Sequence, residues 1–195
     1  MTRLFRLAAV AACGLVLSSC ALITLAPAGS YKVGKGASTT LDRDWADVSL
    51  LMPGQPRTVR LLSVDGPLLN RLYLSDGLVD GQPFVRPVRS REATTPVYRS
   101  GMGFTEQVEF IADSVTALGY ERVATTAVRP AEISGVRGVR FEITAFTKEG
   151  LEIKGIGQGV VKNDALYVAV YLAPGEHYFS ATRSNAEAAM NGLVL

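Results

Sequence analysis

Between Gly138 and Leu172 the chain follows a rhythm that only a sheet accommodates. Phe141, Ile143 and Ala145 alternate with Arg140, Glu142 and Thr144, the two-residue period of a strand with one buried face. The segments Lys148-Glu149-Gly150 and Asn163-Asp164 separate this run from two more, Leu151–Lys162 and Ala165–Leu172. Both segments suit tight hairpin turns. The runs 138–147, 151–162 and 165–172 therefore predict a C-terminal antiparallel three-strand meander, preceded by a β-rich stretch from Arg122 to Val128.

Upstream the period changes. Phe104, Val108, Ile111, Val115 and Leu118 recur at three- and four-residue spacing, which places them on one helical face. Thr105 is expected to cap this helix, with Glu106 and Glu109 near the positive end of its dipole and Gly119 ending it. Ser184-Asn185-Ala186-Glu187 reads as the capping box of a short C-terminal helix, whose Ala186, Met190 and Leu193 face inward. Further strands are expected at Trp45–Met52, Thr58–Val64 and Arg71–Ser75, ended by Pro53-Gly54, Asp65-Gly66 and Asp76-Gly77. Residues 82–100 hold three prolines and four arginines and read as a loop-rich excursion. The fold class is α+β: an antiparallel sheet packed by one long amphipathic helix and a short terminal one.

The N-terminus carries an address. Arg3 and Arg6 precede the apolar run Leu7–Leu17, the layout of a secretory signal. That run is too short for a hydrocarbon core of about 30 Å, which takes roughly 20 residues. Leu17-Ser18-Ser19-Cys20 resembles the bacterial lipobox: an aliphatic residue, two small ones, then the cysteine to be acylated. The resemblance implies cleavage before Cys20, acyl chains on that residue, and a membrane anchor. Several chains hold firmly where one would not, at about 0.8 kcal/mol per buried CH₂. Ala21, where aspartate would favour retention in the inner membrane, implies the outer membrane facing the periplasm. Residues 1–19 are thus expected as a signal peptide and 20–40 as the lipidated cysteine with a flexible tether. The tether reading rests on Ala, Pro, Gly, Ser and Thr. Residues 41–195 are expected as a single domain.

Composition narrows the chemistry. Cys13 leaves with the signal and Cys20 is acylated, so no cysteine remains for a disulfide, a thiolate nucleophile or a metal site. Removing nineteen of 195 residues leaves 176, enough for one domain with a sizeable core. Of 20 basic residues Arg3 and Arg6 are lost, leaving 18 against 18 acids. Such a neutral chain lacks the basic stripe of a nucleic-acid binder.

The stretch Phe104–Val194 resembles the PsbP-like α/β/α sandwich. The resemblance rests on the amphipathic helix, Gly138-x-Arg140-Phe141, the turn Glu149-Gly150-Leu151, the strand Leu166–Tyr171 and Ala173-Pro174 before a terminal helix. Envelope lipoproteins of proteobacteria with an N-terminal Trp and a Tyr-x-Ala-Pro-like segment are similar. Members of this fold are mostly accessory and binding proteins, which is an analogy of fold and not of site.

Few residues stand out as chemical. His177 is the single histidine, which excludes His-cluster metal sites, and no G-x-S-x-G elbow accompanies it. It reads as a loop residue. Gly155, Gly157 and Gly159 lie inside a strand, not between a strand and a helix as a phosphate loop requires. They are expected to admit a helix or a bulky side chain at close range. Arg86, Arg89, Arg91 and Arg99, with Tyr98, form the candidate binding cluster, suited to an anionic headgroup, a glycan or an acidic partner. Trp45 is expected in the core. Asp42, Asp44 and Asp47 lack calcium-loop spacing, and Asp76 and Asp80 read as turn residues. No catalytic residue, metal or cofactor is assigned. The leading expectation is a non-catalytic envelope lipoprotein that binds a partner protein. The alternatives are a periplasmic carrier of an apolar ligand between sheet and helix, or a hydrolase using His177.

Overall fold

The run Ala165–Pro174 is apolar on both sides, and it occupies the middle of the sheet. The computed structural model describes residues 23–52, 54–86 and 94–195. In chain order the elements are β1 (Thr24–Ala26), β2 (Gly29–Lys32), β3 (Ser38–Leu41), β4 (Trp45–Asp47), β5 (Val59–Ser63), β6 (Arg71–Ser75), α1 (Phe104–Ala117), β7 (Glu121–Ile133), β8 (Val136–Phe146), β9 (Glu152–Lys162), β10 (Ala165–Pro174) and α2 (Tyr178–Asn191). Eight strands form one antiparallel sheet in the order β1-β4-β5-β6-β10-β9-β8-β7, while β2 and β3 pair separately. The lipobox residues Leu17, Ser18, Ser19 and Cys20 lie outside the described residues, as do Arg89 and Arg91. Among the described residues no helix is long and apolar enough to cross a membrane.

Strand alternation sorts the core into two layers. Leu166, Val168, Val170 and Leu172 of β10 join Val139, Phe141, Ile143 and Ala145 of β8 under Val108, Ile111 and Val115 of α1. Ala169, Tyr171 and Ala173 point the other way, with Leu72, Leu74 and Trp45, under Phe179, Ala186, Ala189 and Met190 of α2. The result is a helix on each face of one sheet, the α/β/α sandwich expected from the C-terminal pattern. Each fully buried Leu or Val contributes about 1.5–3 kcal/mol of apolar burial, so β10, flanked on both faces, is the spine of the fold.

The meander is larger than expected. Ser134 (φ 52°) and Gly135 (φ 73°) turn β7 directly into β8, making four consecutive hairpin-linked strands. Asn163 and Asp164 turn β9 into β10 with φ values of 52° and 60°, the left-handed pair a two-residue turn demands. The expected strand over 45–52 stops at Asp47. The Asp47 carboxylate accepts the Ser49 N–H at 3.0 Å and the Ser49 hydroxyl at 2.5 Å, and the chain winds into a short 3₁₀ turn, Ser49–Leu51.

Both helix starts differ from expectation. Gly103, not Thr105, precedes the first turn of α1, and the Glu106 carboxylate accepts the Gly103 N–H at 2.7 Å. Phe104 is 40% exposed, while Phe110 and Gln107 are buried. The inward face is therefore turned slightly from the apolar-only reading. The C-terminal helix begins at Tyr178, not after Ser184. Phe179 stacks on Tyr171 with centroids 5.7 Å apart and pins this earlier start. Glu187, read as half of a capping box, instead accepts from Arg183 one turn before it. Ala186, Met190 and Leu193 do face inward.

The largest correction concerns the flexible tether expected over 20–40. From Ile23 onward this segment is folded. β1 pairs with β4, and Ala26, Val33, Ala37 and Leu41 are buried. The Tyr31 hydroxyl donates to Asp47 at 2.8 Å, and burial together with that carboxylate raises the phenol's pKa far above its usual value. Ser38 and Val194 exchange backbone hydrogen bonds of 2.9 and 2.8 Å, and the Thr39 hydroxyl donates to Ala189 O at 2.5 Å. The small residues that suggested flexibility allow β3 to approach α2 closely, so that a Cβ at Gly192 would lie only 3.2 Å from the Thr40 backbone nitrogen.

Asp76, read as a turn residue, holds this segment down. Its carboxylate accepts the N–H groups of Lys35, Gly36 and Ala37, each at 2.7 Å. Gly34 passes so near the carboxylate that no Cβ fits there. Removing this acceptor in Asp76→Ala strands three donors and is expected to cost about 2 kcal/mol. Asp76→Asn, which retains one acceptor oxygen, should cost less. Chemical denaturation measures the loss, and amide exchange should show it concentrated at residues 33–38.

Candidate partner-binding surface

The helix α2 covers only part of its face of the sheet. It packs on β10, β9 and β3. Ile133 at the end of β7 and Val136 at the start of β8 join that core layer, and the rest of β7 and β8 on this face is more open. There the alternation turns polar, as an uncovered face requires. Cross-strand register lines up Lys154, Thr144 and Ala124 in one row and Ile156, Glu142 and Thr126 in the next. Gln158, Arg140 and Arg129 form the third.

The third row is the most unusual. Arg129 and Arg140 sit directly opposite each other, an arrangement that like charges disfavour. Arg140 is held from below. Its Nε donates to Gln158 Oε1 at 3.1 Å and its Nη2 to the same oxygen at 2.5 Å and to Asn191 Oδ1 at 2.6 Å. The fully buried Gln158 passes the connection on, donating from Nε2 to Met190 O at 3.1 Å. Burial, and then the field of Arg129, lower the Arg140 pKa, with Glu187 opposing them. Arg129 is exposed and, among the described residues, donates to the carbonyl of Ala127 at 3.1 Å.

Beside this row an open groove of about 530 Å³ runs between β8, β9 and the start of α2, lined by Glu142, Thr144, Glu152, Lys154, Phe179 and Arg183 among others. Arg183 donates to Glu187 at 3.0 Å and to Glu142 at 3.4 Å, and the first of these bonds raises its pKa. Its guanidinium lies over the Phe179 ring, 5.5 Å from the centroid. At the far rim, the Arg122 guanidinium lies 3.8 Å from the Phe146 centroid, re-aimed by a bulge in β7. The surface therefore presents cations, two of them stacked on aromatic rings, and hydrogen-bonding groups on a rigid sheet. Neither burial nor enclosure suits it to a small apolar molecule.

The candidates read from sequence fall elsewhere. Arg86 is exposed beside Gly54, and Arg99 is exposed. Tyr98, expected in the same binding cluster, is completely buried with its ring 6.5 Å from that of Phe110. Its backbone is fixed to Gln82 and Gly81, so the excursion closes at its base and the tyrosine turns inward. His177 is exposed at the start of α2, edge-on to Tyr178. The Ser180 hydroxyl donates at 3.0 Å to the His177 carbonyl, not to the imidazole. The glycine strand is filled. Gly157 lies under Phe141, Gly159 under Ile111 and Gln107, and Gly155 against Leu172, so the space imagined for an apolar ligand is side chain. Trp45 is core. Asp42 accepts from Asn185 and Asp44 from Ala28 N, at 2.8 and 2.9 Å. Among the described residues no three metal-ligating side chains converge.

Sequence reasoning missed Arg129 and Arg140 as a pair. Their juxtaposition depends on two register shifts in β7, which alternation cannot reveal. The signal available was Arg140 itself, an arginine in the middle of an otherwise core-forming strand.

No protein-family model matches this chain, and no curated protein matches it. Solved structures do. The solution structure of cyanobacterial PsbP from Synechocystis sp. PCC 6803 superposes with a TM-score of 0.51 at 10% identity, covering 90% of this chain and 93% of that one. The Ran-binding protein Mog1p of Saccharomyces cerevisiae gives 0.52 at 11% identity, covering 88% and 94%. At such identities the likeness is one of fold: this chain has the PsbP-like α/β/α sandwich.

Proposed function

We propose that this chain is an exported lipoprotein, acylated on Cys20 and held to the outer membrane facing the periplasm, whose domain is a non-catalytic accessory module for an envelope protein. The partner binds through an acidic segment laid across the open half of the sheet. The observation that carries this is the Arg129–Arg140 pair, two cations on one exposed face. Carboxylates suit such a site because they relieve the repulsion as they bind. The lipobox supports the address, and the resemblance of the fold to a Ran-binding protein supports a binding role by analogy.

Arg129→Glu tests the reading. Among the described residues Arg129 bonds to the nearby carbonyl of Ala127, and its reversal removes a like-charge contact, so stability should rise slightly, by about 0.2–1 kcal/mol. Crosslinking in native membranes, followed by mass spectrometry, should identify one stoichiometric partner on the wild-type chain. The crosslinks should map to an Asp- or Glu-rich segment, and the partner should be lost with the variant. A partner retained undiminished by Arg129→Glu would rule out this surface. An N-terminal peptide lacking acyl chains on Cys20 would rule out the address.

A further inference from the structure

The folded N-terminal segment changes what an anchor at Cys20 implies. A tether of some twenty residues would leave the domain free of the bilayer. The described chain begins instead at Ile23 and enters β1 at Thr24. Three residues reach at most about 11 Å, at roughly 3.3–3.6 Å each.

What surrounds that entry point suits a membrane surface. Ile23 is 52% exposed, Leu25 65% and Leu50 67%. Ile23 and Leu25 fall on the same side of β1 by alternation. The pairing of Thr24 with Asp47 sets Ile23 next to Val48, two residues before Leu50. From Val48 to Val64 there is no acidic residue, while Arg57 and Arg60 fall within it. Arg57, Arg60 and Leu50 line one shallow depression, and Arg86 reaches the same neighbourhood, its side chain 3.6 Å from where a Gly54 Cβ would lie. Arg60 is partly engaged, donating to Val33 O at 3.0 Å and pairing with Asp47 at 3.9 Å. Arg57 and Arg86 are exposed.

We infer that this corner of the sheet is a membrane-apposed surface. Ile23, Leu25 and Leu50 enter the headgroup region of the bilayer that holds the Cys20 acyl chains, while Arg57 and Arg86 meet anionic lipid phosphates. The inference rests on the acylation of Cys20 proposed above. The anchor supplies the proximity, and the exposed apolar side chains and arginines supply the orientation. Exposed apolar residues flanked by cations are the pattern by which peripheral proteins seat on anionic interfaces. The domain is thereby docked and oriented, with one corner down.

The acylated chain has no free thiol, so one introduced cysteine is a unique labelling site. The acylated full chain carrying Leu50→Cys with a nitroxide label is reconstituted into phosphatidylcholine vesicles with and without phosphatidylglycerol. Leu68→Cys serves as the comparison, because Leu68 is 83% exposed at the opposite end of the β5–β6 hairpin. The label at 50 should be several-fold less accessible to a water-soluble relaxation agent than the label at 68, and more so with phosphatidylglycerol present. Arg57→Gln combined with Arg86→Gln should abolish that lipid dependence. Equal accessibility at 50 and 68 on a chain whose Cys20 is acylated by mass spectrometry overturns this inference and leaves the anchor standing. Immersion indifferent to phosphatidylglycerol overturns the arginine contacts. An unacylated Cys20 removes the anchor and this orientation together.

Discussion

Tyr98→Ala is expected to lower the unfolding free energy by about 3–5 kcal/mol, the range for truncating a large buried aromatic. Tyr98 lies in the excursion between β6 and α1, a segment whose composition reads as surface loop. Its ring is nevertheless fully buried against Phe110, in the layer that also holds Phe84 and Tyr73. Its hydroxyl reaches Asp164 O only at 3.5 Å, too long for a strong bond. Tyr98→Phe should therefore lose little. Urea denaturation of both variants separates the two contributions. A small loss in the alanine variant would mean that the excursion is not part of the core. Partner capture per folded molecule should be unchanged in Tyr98→Phe, because the ring faces away from solvent.

Gly157→Ala provides the second large effect, and its sign is informative. Considered for backbone entropy alone, alanine in place of a strand glycine stabilises, by roughly 0.5–1 kcal/mol. At Gly157 the new methyl group would lie on the ring of Phe141, the cross-strand partner on β8. Overpacking of this kind costs about 1–3 kcal/mol. The net expectation is destabilisation. If the ring is the cause, Gly157→Ala should cost less in a Phe141→Leu background than in the wild type. The double-mutant coupling should be on the order of 0.5–3 kcal/mol. Thermal denaturation of the four proteins gives the coupling directly. An additive cycle would place the strain elsewhere, in the backbone or under α1.

These two sites show where the sequence could be read and where it could not. Phe141, Ile143 and Ala145 announced the inner face of β8 because strand alternation is a local property, and all three are buried. The turn at Asn163-Asp164 was legible for the same reason, since its left-handed backbone is written in the residue types. The role of the glycine strand was legible in kind, as close packing, but not in partner. Tyr98 and Asp76 were misread because what fixes them is distant in sequence. Asp76 accepts from residues 35–37, and nothing in Asp76-Gly77 distinguishes that acceptor from an ordinary turn. The segment 23–40 was misread because Ala, Gly, Ser and Thr serve equally in a mobile linker and in strands pressed against a helix. The Arg129–Arg140 surface depended on bulges, whose register shifts have no period to detect. Arg86 and Arg99 are exposed, but the binding cluster expected around them loses Tyr98 to the core.

The position of β10 sets the order in which the molecule can assemble. The block β1-β4-β5-β6 and the block β7–β10 meet within the sheet along one seam, where Leu74 pairs with Ala169 and Tyr73 with Val170. Every other pairing in the C-terminal block is a hairpin between neighbours in sequence, and β4–β6 also pair in sequence order. Local hairpins form early, and contacts between distant segments wait for loop closure. Until residues 165–174 are available, β6 has an unsatisfied edge, the kind that recruits other chains. A chain interrupted anywhere before that strand is thus not a smaller folded domain but an open template, and the last sixth of the polypeptide decides whether the first half is ever native.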